Sequence, residues 1–265
     1  MLQLTDPDSG FRVLSLQRMA QGERWRTEAM RSYGRPVLLW FTRGQGSVTV
    51  SGTTRGYGPH NAIFLPAGTM HGFAMMGSVF GFAVHFPADM HSAFPETPMH
   101  LRLRDGQSQA ELTAMIDAID REGRTDAPGA DRAMRHHAGL LSIWLERHGE
   151  QASDISTGSA TEHLVEAFTA LIERDFRSGA GVSAYAARLG VTPTHLSRVC
   201  RTACGRSASR LLADRVHYEA RSMLHSTDLP VSEISRRLGF RSAAYFTRAF
   251  QNKTGFTPTA FRRAQ

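Results

Sequence analysis

The sequence predicts an α+β chain of several domains. A sandwich or small β-barrel comes first, then a helical pair, then an all-α domain with two helix-turn-helix motifs. Three observations predict this. Short apolar runs broken by glycine and proline fill the N-terminal part, helical periodicity takes over near residue 105, and one helical unit is written twice near the C-terminus. The boundaries fall at 1–104 for the strands, 105–150 for the helical pair, 151–160 for a linker and 161–265 for the repeat-bearing domain. A chain of 265 residues is long enough for more than one core.

From about Phe11 to Phe86 each strand ends in a turn signal. Val37 to Phe41 runs to Gly44-Gln45-Gly46, and Val48 and Val50 then alternate with Ser47, Thr49 and Ser51 before Gly52. Ile63-Phe64-Leu65 stops at Pro66-Ala67-Gly68, and Val79 to Phe86 forms another run. In that last run Phe80, Phe82, Val84 and Phe86 share one face and read as packed core. Val79, Gly81, Ala83 and His85 share the other, a small face that leaves room inside a barrel for a small molecule. His71, His85, Trp40, Phe73 and Met75 are the expected lining of that space. Residues 87–104, with Pro87, Pro95 and Pro98, read as irregular.

Two helices follow. In Gln107–Arg121 a stripe of Leu112, Met115, Ile116 and Ile119 repeats at helical spacing. In Ala130–Arg147 the stripe is Met134, His137, Leu140, Leu141, Trp144 and Leu145. Glu150–Ala160 is rich in Ser, Thr and Gly and reads as a linker.

The C-terminal repeat carries the function. Val182-Ser183 and Leu189-Gly190 recur 49 positions later as Val231-Ser232 and Leu238-Gly239. The offset then becomes 50: Leu196 matches Phe246, Ser197-Arg198 matches Thr247-Arg248, and Gly205 matches Gly255. In the first copy Ser183 is the expected N-cap of a scaffold helix and Gly190 the turn. Thr192-Pro193 opens a second helix, a hydroxyl cap followed by proline at the first helical position. Leu196 and Val199 face inward, and Thr194, Ser197, Arg198 and Arg201 face out. In the second copy Ser232 and Ser242 are the expected caps. Phe246, Ala249 and Phe250 face inward, and Ala243, Ala244, Thr247, Arg248 and Gln251 face out. An arginine among short polar groups suits guanine readout in the major groove, and alanines suit thymine methyl groups. A long helix from Ser207 to Leu224 would hold the readers about 34 Å apart, the spacing of successive major grooves.

Charge points the same way. Residues 161–265 carry sixteen Lys/Arg against eight Asp/Glu, whereas residues 1–160 carry fifteen against sixteen. The basic excess therefore sits with the repeat, where phosphates would be met. Two cysteines, Cys200 and Cys204, exclude a disulfide framework and fit a reducing compartment. Redox sensing by that pair is a further reading of the same helix. The start of the chain, with Asp6 and Asp8, lacks a signal region, and no apolar run suits a membrane span, so a cytoplasmic protein is expected.

Leu238-Gly239-Phe240-Arg241-Ser242-Ala243-Ala244-Tyr245-Phe246-Thr247-Arg248-Ala249-Phe250, followed by Gly255 and Thr257-Pro258, resembles the signature of the AraC/XylS transcription regulators. Leu189-Gly190-Val191-Thr192 and Leu196-Ser197-Arg198 resemble the family's first motif. The resemblance implies base-facing roles for Thr194, Ser197, Arg198, Ala243, Ala244, Thr247 and Arg248. Two positions depart from the pattern: Cys200 stands where phenylalanine is common, and Gln251-Asn252 replaces a basic pair. Upstream, Pro66-Ala67-Gly68-Thr69-Met70-His71 resembles part of the second cupin motif, which implies a cupin-like sensor barrel.

The resemblance implies a sequence-specific, effector-responsive regulator, an activator as most of the family are. Its partners would be promoter DNA, a small-molecule effector, a second copy of the chain and RNA polymerase. The helical pair would pair the subunits through Leu141, Trp144 and Leu145, with Leu112, Met115 and Ile119 behind. The alternative is a cupin-type metalloenzyme fused to a DNA-binding domain. It would need the His-x-His ligands that residues 35–70 lack, or else convergence of His60, His71 and His85 from neighbouring strands. The leading reading calls for no catalytic residue, no metal and no other cofactor.

Overall fold

The structure, a computed structural model, describes residues 10–20, 25–151 and 159–264. Asp6, Asp8 and most of the expected linker lie outside the described residues. Six strands form one antiparallel sheet: β1 (Arg12–Ser15), β2 (Val37–Val50), β3 (Thr53–Tyr57), β4 (Asn61–Leu65), β5 (His71–His85) and β6 (Met99–Arg102). Two short helices, α1 (Leu16–Ala20) and α2 (Trp25–Glu28), separate β1 from β2. The order is β1-β5-β2-β4-β6, with β3 also on β2. β4 pairs with the first half of β2 and β3 with its second half, while β5 runs along the opposite edge of both. Among the described residues β1 and β6 end the order without pairing to each other, so the sheet does not close into a ring.

Three expectations about these strands are corrected. Gly44-Gln45-Gly46 is not a turn: β2 runs through it, with register shifts between Phe41 and Arg43 and again between Arg43 and Gln45. The glycines serve a bulged bend, and a Cβ on Gly46 would meet the carbonyl of Ala74 at 2.1 Å. The run Val79–Phe86 likewise supplies the second half of a strand that starts at His71 and ends at His85. Residues 87–104 are not irregular throughout, because Ala88–Ala93 is a 3₁₀ helix and Met99–Arg102 pairs with β4.

Alternation sorts the sheet's side chains into two cores. One face buries Val37, Leu39, Phe41, Val48, Ile63, Phe73 and Ala83. The other buries Leu38, Trp40, Phe64, Val84 and Phe86 against Leu112 and Ile116 of α3 (Gly106–Gly123) and Leu141 and Leu145 of α4 (Ala130–Gln151). The expected intersubunit contact is therefore corrected: Leu141 and Leu145 are 0% exposed within their own chain, and Trp144 donates to Glu111 at 3.1 Å. The apolar residues that α4 leaves exposed are Leu140 and Ile143.

Beyond residue 158 everything is helical: α5 (Ala160–Asp175), α6 (Val182–Arg188), α7 (Pro193–Cys204), α8 (Ala208–Ser226), α9 (Val231–Arg237), α10 (Ala243–Thr254) and α11 (Pro258–Arg263), with a 3₁₀ turn at Phe176–Ser178. Their shared core includes Phe168, Leu196, Leu211, Leu224, Ile234, Phe246 and Phe250. Met30 and Met70 from the sheet-bearing part belong to that same core.

Candidate nucleic-acid interface and interdomain seam

The two copies, α6–α7 and α9–α10, are built alike. Each first helix ends in a Schellman turn. The amides of Gly190 and Val191 bond to Ala187 and Ala186, and those of Gly239 and Phe240 bond to Arg236 and Ser235, all at 3.0–3.1 Å. Gly190 and Gly239 hold φ of +68° and +74°, a region that side-chain-bearing residues avoid. Each second helix is capped by a hydroxyl: Thr192 accepts from the amide of His195, and Ser242 from that of Tyr245. Gly205 and Gly255 stop them in the same left-handed conformation.

The scaffold-helix caps are corrected. Neither Ser183 nor Ser232 caps; the helices start at Val182 and Val231, after Gly181 and Pro230, with no side-chain cap bond. Proline presets φ at −55° and has no amide to satisfy, so the helix begins before the serine.

On α7 Leu196, Val199 and Cys200 are buried, while Thr194, Arg198 and Arg201 are exposed and Ser197 is half-buried. On α10 Phe246 and Phe250 are buried. Ala244, Arg248 and Gln251 are exposed, and Ala243, Thr247 and Ala249 are half-buried. The structure thus brings the candidate DNA-reading residues onto matching outward faces of the two second helices. Arg198 donates from Nη2 to Nδ1 of His195 at 3.1 Å, which steadies the guanidinium above the first turn. Sequence reasoning passed over Tyr245, 57% exposed next to Ala244. An outward arc drawn one residue wider on α10 would have included it.

The connector α8 does more than set a distance. Asp214, buried in its middle, accepts from Arg206 at 3.0 Å just after α7 and from Lys253 at 2.9 Å on α10. One carboxylate thereby ties both readers to the helix between them. The cysteine pair shows no activation. Burial pushes the Cys200 thiol up to about 12 and raises that of Cys204, which donates to the Cys200 carbonyl.

The expected effector-lining residues do not form one set. Trp40 lies on the helix-facing side of the sheet, and its Nε1 donates to Thr113 of α3 at 3.2 Å. There it borders a groove of about 490 Å³ with Thr42, His60, Gln109, Thr113 and Asp117. Phe73 and Met75 belong to the opposite face. His71 and His85 flank the ring of Tyr33, with centroids 5.2 and 5.1 Å away. Burial lowers the pKa of both, with help from Arg31 on His71 and from Arg35 and Arg31 on His85, which is brought to about 3. His60 is instead 6.1 Å from Trp40, and among the described residues no three His, Cys, Asp or Glu side chains group to hold a metal.

The sheet and the helical domain meet along a polar seam. Arg215 of α8, 5% exposed, donates to both oxygens of Glu173 at 2.9 and 3.0 Å and to Glu219 at 2.9 Å. Burial opposes its charge, yet the two glutamates keep its pKa above the usual arginine value. Ser32, from the sheet-bearing part, donates to Glu173 at 2.5 Å. Arg206 reaches the carbonyl of Glu28 at 3.1 Å, and Gly52 abuts Val165 and Thr169 of α5.

Residues 185–264 match the helix-turn-helix domain family. The chain is 26% identical over 164 residues to the transcriptional activator RhaR of Salmonella dublin, a stretch covering 62% of this chain and 57% of RhaR. It is 30% identical over 81 residues to the arabinose operon regulatory protein of Salmonella typhimurium, covering 31% and 29% of the two chains. Among solved structures it resembles the C-terminal domain of AraT, a response regulator from Geobacillus stearothermophilus. That match is 31% identical, covers 42% of this chain and 89% of the other, and has a TM-score of 0.38. The chain thus spans less than two thirds of the curated relatives, whose names are those of transcription regulators and not of enzymes. Among the described residues no helix is long and apolar enough to cross a membrane.

Proposed function

We propose that the chain, whose residues 185–264 match the helix-turn-helix domain family, is an effector-responsive activator of the AraC/XylS type that reads promoter DNA with α7 and α10. One observation carries this: Arg198 and Arg248 stand exposed at equivalent positions of two equally built, equally capped helices. Arginine at that place suits a bidentate bond to guanine, with Thr194, Ser197, Arg201, Ala243, Ala244, Thr247 and Gln251 completing the two faces.

In this reading residues 1–104 are a cupin-like sensor and residues 105–150 a pairing surface. Leu140 and Ile143 replace Leu141 and Trp144 as its exposed apolar contact. A ligand acts by binding one arrangement of sensor and readers more tightly than another. The seam through Arg215, Glu173 and Ser32 supports that coupling, since a change near β5 reaches α8 through three side chains. RNA polymerase is the further partner, and the cytoplasm, where promoters are, the compartment.

The test uses the full chain. Selection from random duplexes gives an operator, and fluorescence anisotropy then measures affinity on it and on scrambled DNA. Arg198→Ala and Arg248→Ala should each cost about 1–3 kcal/mol on the operator and relax preference at one base position. Equal losses on both DNAs would assign the arginines to phosphate, and no selected sequence at all would sink the proposal.

A further inference from the structure

The arginines of the two second helices stand in the same frame but keep different company. In each copy the cap holds the residue one helical turn before the arginine. Thr192 accepts from the amide of His195 at 3.1 Å, and Ser242 accepts from that of Tyr245 at 3.2 Å. His195 and Tyr245 are thus equivalent positions, joined by the same offset of 50 that joins Arg198 to Arg248.

Residues one turn apart share a face of the helix. On α7 that neighbour is an imidazole, and Arg198 donates from Nη2 to its Nδ1 at 3.1 Å. On α10 it is a phenol whose ring lies 6.0 Å from that of Phe240, and among the described residues Arg248 makes no hydrogen bond or ion pair. A guanidinium never accepts, so Nδ1 is the accepting nitrogen and the imidazole carries its hydrogen on Nε2. The bond spends one N–H of Arg198 and leaves the others free for a base edge. Ordering a long side chain at an interface subtracts from binding, and one already held by a neighbour loses less. A held fork also rejects a base whose acceptors do not match it, whereas a free one can turn to a phosphate instead.

We propose that His195 is a positioning residue for DNA reading: it presets Arg198, so that α7 reads with a held arginine and α10 with a free one. The proposal rests on the reading of promoter DNA by α7 and α10 given above. It adds a difference between two readers that the repeat makes look equal.

The experiment measures the full chain by fluorescence anisotropy on the selected operator and on duplexes altered at single base pairs. Arg198→Ala and Arg248→Ala first identify the base that each arginine reads. His195→Ala should then lower discrimination at the Arg198 base by roughly threefold to tenfold and leave the Arg248 base unchanged. His195→Asn puts an acceptor oxygen near the place of Nδ1 and should retain most of the discrimination. His195→Gln, whose acceptor falls nearer Nε2, should not, and this pair decides the matter should His195→Ala fold poorly. In an Arg198→Ala background His195→Ala should change nothing further, since the group it positions is gone. Additive losses there would mean that His195 touches DNA on its own account, and they overturn the proposal. Undiminished discrimination in His195→Ala overturns it too, as does equal behaviour of the asparagine and glutamine variants. No selected sequence, or no base affected by Arg198→Ala, removes the DNA reading beneath it. A normal Arg198→Ala effect with none from His195→Ala removes the positioning role alone.

Discussion

Replacing Arg215 with methionine keeps most of the side chain's length and removes its charge. The guanidinium lies 4.0 Å from the ring of Phe176, and a methionine stem retains part of that packing. What is lost is the compensation of two carboxylates whose side chains are 11% and 17% exposed. Removing one partner of a buried pair costs about 3–5 kcal/mol, because the other charge stays behind. The lower end applies here. Glu219 keeps Arg177 at 2.5 Å, and Glu173 keeps the Ser32 hydroxyl. About 3 kcal/mol is expected, which at typical urea dependence moves the unfolding midpoint down by about 1–2 M. Adding Glu173→Gln removes the stranded charge, so the double variant should be more stable than the sum of the singles by over about 1 kcal/mol. Urea titrations of the four proteins, followed by tryptophan fluorescence and circular dichroism, measure both quantities. A loss under about 1 kcal/mol with strict additivity would refute the view that Arg215 holds the seam electrostatically.

Acid should weaken the fold before carboxylates begin to protonate. His85 binds its proton at about 3 in the folded chain and at 6.5 as a free side chain, so the unfolded state takes up protons first. Stability is then full above about 6.5 and falls as pH drops, by about 2 kcal/mol from His85 alone at pH 5. His100 and His217, each lowered to about 4 by burial, act in the same window. Thermal melts from pH 7.5 to 5 check this, and a flat profile that His85→Gln leaves unchanged would contradict it. The two turn glycines should differ on mutation. Gly190 faces open space, so Gly190→Ala costs the left-handed backbone alone, about 1–2 kcal/mol. A Cβ on Gly239 would stand 2.3 Å from the amide nitrogen of Gly179, so Gly239→Ala must also push two backbones apart and should cost clearly more in the same denaturation assay.

The helical half was legible because its signals are local. Thr192-Pro193, Ser242, Gly205 and Gly255 each fix one end of a helix through their own chemistry, and the repeat places them in register. Ser183 and Ser232 misled because a serine in the first turn looks like a cap from sequence. Gly181 and Pro230 had already started those helices. The sheet was harder to read. Alternation gives the faces of a strand but not what each face meets, so Trp40 and Phe73 were grouped although they belong to different cores. Glycines at a bulge also look like glycines at a turn. The seam was invisible in the sequence: Ser32, Glu173 and Arg215 are far apart along the chain, and no local pattern announces a buried ion pair.

Met30 and Met70 sit among the side chains of the helical domain as plugs do in sockets. A reader cut free of its sheet would open two apolar holes to water, and one grafted onto a foreign sensor would inherit them empty. The chain looks modular when written out, but its halves are not interchangeable parts. A foreign sensor would have to bring its own apolar side chains to that core.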